Sequence, residues 1–178
     1  MAAMAAVDPI VYAQLCKPFP ALTERQVTNL CFYALGTVHQ DASLLLGLAP
    51  STIKKSLEAS QKNLGLESVY DFKPVFWARL ALKQICSKNG INFYHLLDLD
   101  ALSTLNKISY IIPELESVKF DLAILYTLGF STSVLAHRFS QDLSLVESTL
   151  ASVLHILGIP NLGLLRHYVA SRLMLDLC

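Results

Sequence analysis

Residues 22–66 read LTERQVTNLCFYALGTVHQDASLLLGLAPSTIKKSLEASQKNLGL, and the punctuation inside this stretch decides the fold. Apolar residues recur at three- and four-residue spacings, the period of a helix face, and the alternation of a strand is missing. Thr23 with Gln26 has the form of a capping box, in which the two side chains satisfy backbone N–H groups that a helix start leaves open. Leu22, just before it, is placed to staple the first turn. The spacing predicts a helix over 24–35 that stops at Gly36. A second, short helix is expected over 39–46, with Gly47-Leu48-Ala49 turning the chain. Pro50 suits the first position of a third helix, because the N–H it lacks would be unpaired there. That helix is expected to run to Leu64 and stop at Gly65, and a fourth to run from about Phe72 to Ser87, ended by Asn89-Gly90.

The second half of the chain repeats this order. Shifted by 93 residues, 22–80 aligns with 115–173 without a gap and with ten identities in 59 positions. Leu35-Gly36 meets Leu128-Gly129, Leu64-Gly65 meets Leu157-Gly158, and Arg79-Leu80 meets Arg172-Leu173. A leucine-rich chain yields several identities by accident, and two such helical halves aligning by chance is the alternative. The coincidence of the helix-terminating glycines with their flanking leucines favours a duplication. Between the halves, 89–113 reads as a helical linker, with Asp100 capping a helix over 101–110 and Pro113 breaking it. The expected organisation is all-α, with a first unit and its N-terminal extension over 1–88, the linker over 89–113, and a second, degenerate unit over 114–178.

Composition narrows the function. Among 178 residues, Lys plus Arg is 14 and Asp plus Glu is 14, so the formal charge is zero. A polybasic coat, an acidic tail and nucleic-acid binding by bulk charge alone are excluded. Hydrophobic residues make up 53% and charged ones 16%, with 34 leucines, enough for a sizeable core and incompatible with global disorder. A mean hydropathy of +0.46 calls either for a membrane or for a partner that covers apolar surface. The longest uncharged run, 148–165, contains Gly158, Pro160 and Asn161, whereas a span needs about 20 mainly apolar residues, so no membrane segment is expected. The N-terminal MAAMAAVDPIVYAQLC has no basic residue before Lys17 and is interrupted by Asp8-Pro9, which argues against a signal peptide.

Cys16, Cys31, Cys86 and Cys178 are scattered, and His39, His95, His137, His155 and His167 show no ligand spacing with them. Neither a metal site nor a disulfide framework is indicated, and a reducing, cytoplasmic location is expected. Asp98 and Asp100 fit helix capping better than a paired-carboxylate site. GxxxxGK[ST], GxGxxG and GxSxG are absent, so neither an enzyme nor a cofactor is expected.

The segment 22–66 resembles the helix-turn-helix of LuxR/NarL/GerE-type bacterial transcription regulators. The family pattern opens LTxRE, ends its first helix on Gly, carries TVK in its third helix and closes on KLG. Here Leu22, Thr23 and Arg25 match the opening, Gly36 the glycine, Thr52-Ile53-Lys54 the TVK, and Leu64-Gly65-Leu66 the close. These 45 residues, about a quarter of the chain, align without a gap. Five positions depart: Ser56 stands where His is common, Ser60 where an apolar residue is usual, His39-Gln40 in place of Asn-Lys, and Asn63 in place of the Lys of KLG.

The resemblance implies two tandem helix-turn-helix (LuxR-like, four-helix) units joined by a helical linker. It makes 50–64 a recognition helix for double-stranded DNA. Ile53, Leu57 and Leu64 would form the inward seam, and Ser51, Thr52, Lys54, Lys55, Glu58 and Lys62 the outward face. Thr52, Lys54, Lys55 and Glu58 are the expected groove-facing groups and Lys62 a phosphate contact, and a merely solvated face is the alternative. In the second repeat the corresponding helix offers Ser144, Leu145, Glu147, Ser148, Ala151 and His155, with Glu147 replacing Lys54. A carboxylate repels phosphates, so this unit is expected to be structural or dimerising, and Leu143 and Leu145 suit protein contact unless they are core. Phe72, Phe76, Trp77 and Leu80 form a stripe that would pack the fourth helix or, as that helix often does in the family, pair two chains.

The implied protein is a cytoplasmic bacterial regulator working as a homodimer or as a hetero-oligomer with another regulator, with RNA polymerase as a further partner. No receiver or ligand-sensing domain fits the remaining residues, so control would come from abundance or from a partner. The alternative is an interaction module, a coactivator or antiactivator without its own DNA affinity.

Overall fold

A computed structural model of the chain describes residues 14–98 and 105–178, and every regular element among them is helical. Helix α1 (Glu24–Ala34) starts at the expected capping box: the Thr23 N–H donates to Gln26 Oε1 at 2.9 Å and the Gln26 N–H to Thr23 Oγ1 at 3.3 Å. Helices α2 (His39–Leu46), α3 (Pro50–Asn63) and α4 (Phe72–Lys88) follow, the last after a 3-10 turn at Val69–Asp71. Beyond them come the short α5 (Phe93–Leu97), a 3-10 helix at Leu105–Ile111, and then α6 (Ser117–Thr127), α7 (Thr132–Phe139), α8 (Leu143–Leu157) and α9 (Leu162–Leu175).

The order of helices recurs at the 93-residue offset. The bounds of α1 map onto those of α6 and the bounds of α2 onto those of α7, and α3 and α8 begin at equivalent residues. Gly47 ends α2 in the left-handed region at φ 64°, and its equivalent Ser140 ends α7 at φ 50°. The turn therefore keeps its backbone where its glycine has been lost, although a Cβ makes that conformation costly. Arg79 Nη1 donates to the Pro18 carbonyl at 3.1 Å, and Arg172 Nε and Nη2 donate to the Ile111 carbonyl at 2.9 and 2.7 Å. Pro18 and Ile111 are themselves 93 residues apart, so the correspondence reaches upstream of the aligned leucines. A cation sits over the same tyrosine in both halves, Lys73 5.6 Å from the Tyr33 ring and Arg166 4.2 Å from the Tyr126 ring.

Among the described residues two apolar cores result. The first gathers Phe19, Val27, Leu30, Ile53, Leu57, Phe72 and Phe76. The second is built from α6 to α9 together with the connecting segment, whose Phe93, Leu96, Leu105, Ile108 and Ile112 are buried in it. The connecting segment differs from its expectation. Asp100 lies outside the described residues, and the part of the 101–110 helix that is described is 3-10 from Leu105, packed as core of the second half. Helix α4 serves both cores, with Phe72, Val75 and Phe76 facing the first and Ala78, Ala81, Leu82, Ile85 and Cys86 joining the second. Its partner α9 makes the broadest helix–helix contact of the fold.

Part of the aromatic stripe of α4 is packed inside the chain. Phe76 stacks on Phe19 with centroids 5.4 Å apart and meets Trp77 edge-on at 5.2 Å. Phe72 and Phe76 are fully buried, whereas Trp77 and Leu80 are half-buried. Among the described residues no single helix is long and apolar enough to cross a membrane, and the pair α8–α9, which reaches that length together, is bent by 61°.

Candidate nucleic-acid interface

Helix α3 owes its placement to a one-sided apolar pattern. Ile53, Leu57 and, just past its end, Leu64 are buried against α1 and α2, which fixes the rotation of the helix about its axis. A polar bolt adds to this seam: Asn29 of α1 donates from Nδ2 to Ser56 Oγ at 2.7 Å. Asn29 is buried, and its Oδ1 has no hydrogen-bond partner. Ser60 is also buried and donates to the Ser56 carbonyl at 2.8 Å. Ser56 and Ser60, two departures from the family pattern, are thus inward residues that hold the helix. Sequence reading missed Asn29, and its polar character at a core spacing was the available signal.

With the seam inside, the opposite face is open. Ser51, Thr52, Lys54, Lys55, Glu58 and Lys62 are all exposed. They form one ridge, Ser51, Thr52, Lys54 and Lys55 in the first turns and Glu58 and Lys62 further along. Lys54 Nζ approaches Glu58 Oε1 at 4.0 Å across one turn, so one of the three cations on the ridge is partly neutralised. A pair this exposed contributes little to stability and leaves the lysine able to turn to another anion.

The equivalent helix α8 presents a different surface. Ser144, Leu145, Glu147, Ser148, Ala151 and His155 are exposed, as is Leu143, so neither leucine is core. Glu147 and Ala151 border a cavity of about 660 Å³ that Glu67 and Asp71 of the first half close from the other side. Deep in it, Arg166 Nη1 meets Asp71 Oδ2 at 2.7 Å, with both side chains almost fully buried. Arg166 also donates from Nε to the Tyr126 carbonyl at 3.2 Å. Part of the α8 ridge therefore looks onto the first half of the chain, and its acidic residue adds to a cleft that already holds Glu67.

Around α2, Leu35, Val38, Leu44 and Leu45 are exposed beside the exposed His39, Gln40 and Asp41. Among the described residues no group of three His, Cys, Asp or Glu side chains is placed to hold a metal ion. His137 lies on the surface of α7. Asp121 Oδ1 is buried without a hydrogen-bond partner; burial pushes its carboxyl up to about 6, against the opposing pull of Arg138. No family model matches the chain, and neither curated proteins nor solved structures offer a match.

Proposed function

We propose that the chain is a sequence-specific DNA-binding transcriptional regulator of the cytoplasm, composed of two tandem helix-turn-helix units and acting as a homodimer or with a partner subunit. The observation that carries this reading is the ridge of α3. Six polar side chains, Ser51, Thr52, Lys54, Lys55, Glu58 and Lys62, stand exposed together on a helix whose rotation is set by a buried seam. Such a helix fits the major groove, with its first turns at base edges and Lys62 at a phosphate. The second unit supports the first, because Glu147 on its equivalent helix would repel the backbone. Selection of bound sequences from a random duplex library tests the proposal. A recurring motif supports it, and recovery of no sequence above background contradicts it.

A second reading is favoured by two observations. Lys54 is partly neutralised by Glu58, and α2, the helix that would lie against the DNA backbone, exposes Leu44 and Leu45. On that reading the chain is a protein-interaction module, a coactivator or antiactivator that binds another regulator or RNA polymerase and has no DNA affinity of its own.

A further inference from the structure

The cleft between the two halves carries charge that the fold itself does not use. Glu67 of the first half and Glu147 of the second border it, and both are exposed. Neither forms an ion pair among the described residues. At the floor, Asp71 and Arg166 cancel each other at 2.7 Å. Three carboxylates against one guanidinium thus leave the lining with two uncompensated negative charges. Tyr126 lines the same space. It is 6% exposed, and its hydroxyl has no hydrogen-bond partner among the described residues. Burial pushes the phenol pKa up; Arg166 pulls it down, and Asp71 and Glu67 push it up again, so the hydroxyl sits in the field of all three charges. A buried hydroxyl left unpaired is costly, and one that faces a cavity is open to a polar occupant.

These features select the chemistry of an occupant. A cavity of about 660 Å³ lies in the range of small-molecule sites, roughly 300–1,000 Å³. Its two free carboxylates repel an anion and attract a cation. Among the described residues no group of three acidic, His or Cys side chains is placed to hold a metal ion, so the charge suits an organic cation better than an inorganic one. The free carboxylates stand on different halves of the chain, and apolar Leu154 lines the space with them. From this we infer that the cleft binds a small organic dication, an aliphatic diamine. One ammonium group meets Glu67 and donates to the Tyr126 hydroxyl, the other meets Glu147, and the methylene chain lies against Leu154. A ligand held in this way touches both repeats and stabilises them against each other. The inference rests on the cleft and not on DNA reading.

Isothermal titration calorimetry of the full chain with 1,4-diaminobutane and 1,5-diaminopentane, against butylamine and magnesium chloride at matched ionic strength, is the test. A diamine binds at least about tenfold more tightly than butylamine, because only the dication meets both carboxylates. Glu67→Gln and Glu147→Gln each weaken the diamine by at least about tenfold. Both keep the circular-dichroism spectrum of the wild type, since both side chains are exposed. Tyr126→Phe weakens it by about threefold, the loss of one hydrogen bond. Asp41→Asn, which removes an exposed carboxylate of α2, leaves it unchanged. No heat up to millimolar diamine, equal affinity for butylamine or magnesium, or full affinity in Glu67→Gln and Glu147→Gln overturns the inference.

Discussion

Replacing Asp71 by leucine leaves the Arg166 guanidinium buried without its counter-ion, and the size of the loss follows from the geometry. The two charges are 2.7 Å apart, and their side chains are 11% and 4% exposed. Removing one partner of such a pair costs about 3–5 kcal/mol, because the survivor keeps its desolvation penalty. Arg166 retains the Tyr126 carbonyl and ring, and the adjoining cavity admits water, so Asp71→Leu belongs at the low end, about 3 kcal/mol. Arg166→Met strands the carboxylate instead, at a similar cost of about 3 kcal/mol. The double variant removes both charges and is expected within about 1 kcal/mol of wild type. Leucine suits the position, because Leu164 stands at the equivalent site of the second repeat. Urea unfolding followed by far-ultraviolet circular dichroism and by the fluorescence of Trp77, the one tryptophan, gives the four free energies. The cycle should return a coupling of roughly 5 kcal/mol. Single variants that each lose under about 1 kcal/mol, with no coupling, would refute the reasoning and mean that water screens the pair.

Four further outcomes are expected. Lys54→Ala with Lys55→Ala weakens sequence-selective DNA binding by about 1–3 kcal/mol in a fluorescence-anisotropy titration and leaves the circular-dichroism spectrum unchanged. In the same titration Glu147→Ala does not reduce binding, because the carboxylate only repels. Gly129→Ala is more destabilising than Gly36→Ala by about 1 kcal/mol in thermal unfolding. Both glycines have positive φ, but a Cβ at 129 meets Leu66 Cδ2 at 3.1 Å whereas one at 36 meets nothing within 4 Å. Asp121→Asn removes a pH dependence. The folded carboxyl titrates near 6, above its ordinary value of 3.8, so its favourable contribution is complete below about 4 and is lost as pH rises through 6. Allowing for partial exposure, the variant gains about 1 kcal/mol at pH 7 and almost nothing at pH 4, as read from urea unfolding at the two pH values.

The helices were legible because their signals are local. The Thr23–Gln26 box, Pro50 at a helix start and the glycines after α1 and α3 act through backbone chemistry within a few residues, and the observed bounds fall within one residue of the expected ones for α1 to α4. The exposure of Lys54, Lys55 and Lys62 followed from the Ile53–Leu57–Leu64 seam in the same way. The 3-10 form of the linker from Leu105 and its place in the core were not legible, because a 3-10 helix and an α-helix share an apolar spacing over so short a run and core membership depends on contacts far along the chain. Buried polar groups were the larger omission. Arg79 and Arg172 stood out as identities between the repeats, but their service as anchors for Pro18 and Ile111 involves partners 61 residues away. Asp71–Arg166 has no local signature at all, since its members lie on different repeats.

The measurement closest to the central claim is equilibrium binding of the full chain to a selected duplex and to its scrambled counterpart across a series of salt concentrations. The account predicts preference for the selected duplex. It also predicts a log–log salt slope no steeper than about −3 per copy, because only Lys54, Lys55 and Lys62 stand on the reading ridge and each released counterion adds about −0.9. Equal affinity for the two duplexes, or no binding at low salt with high micromolar protein, would contradict it and leave the interaction module as the surviving reading.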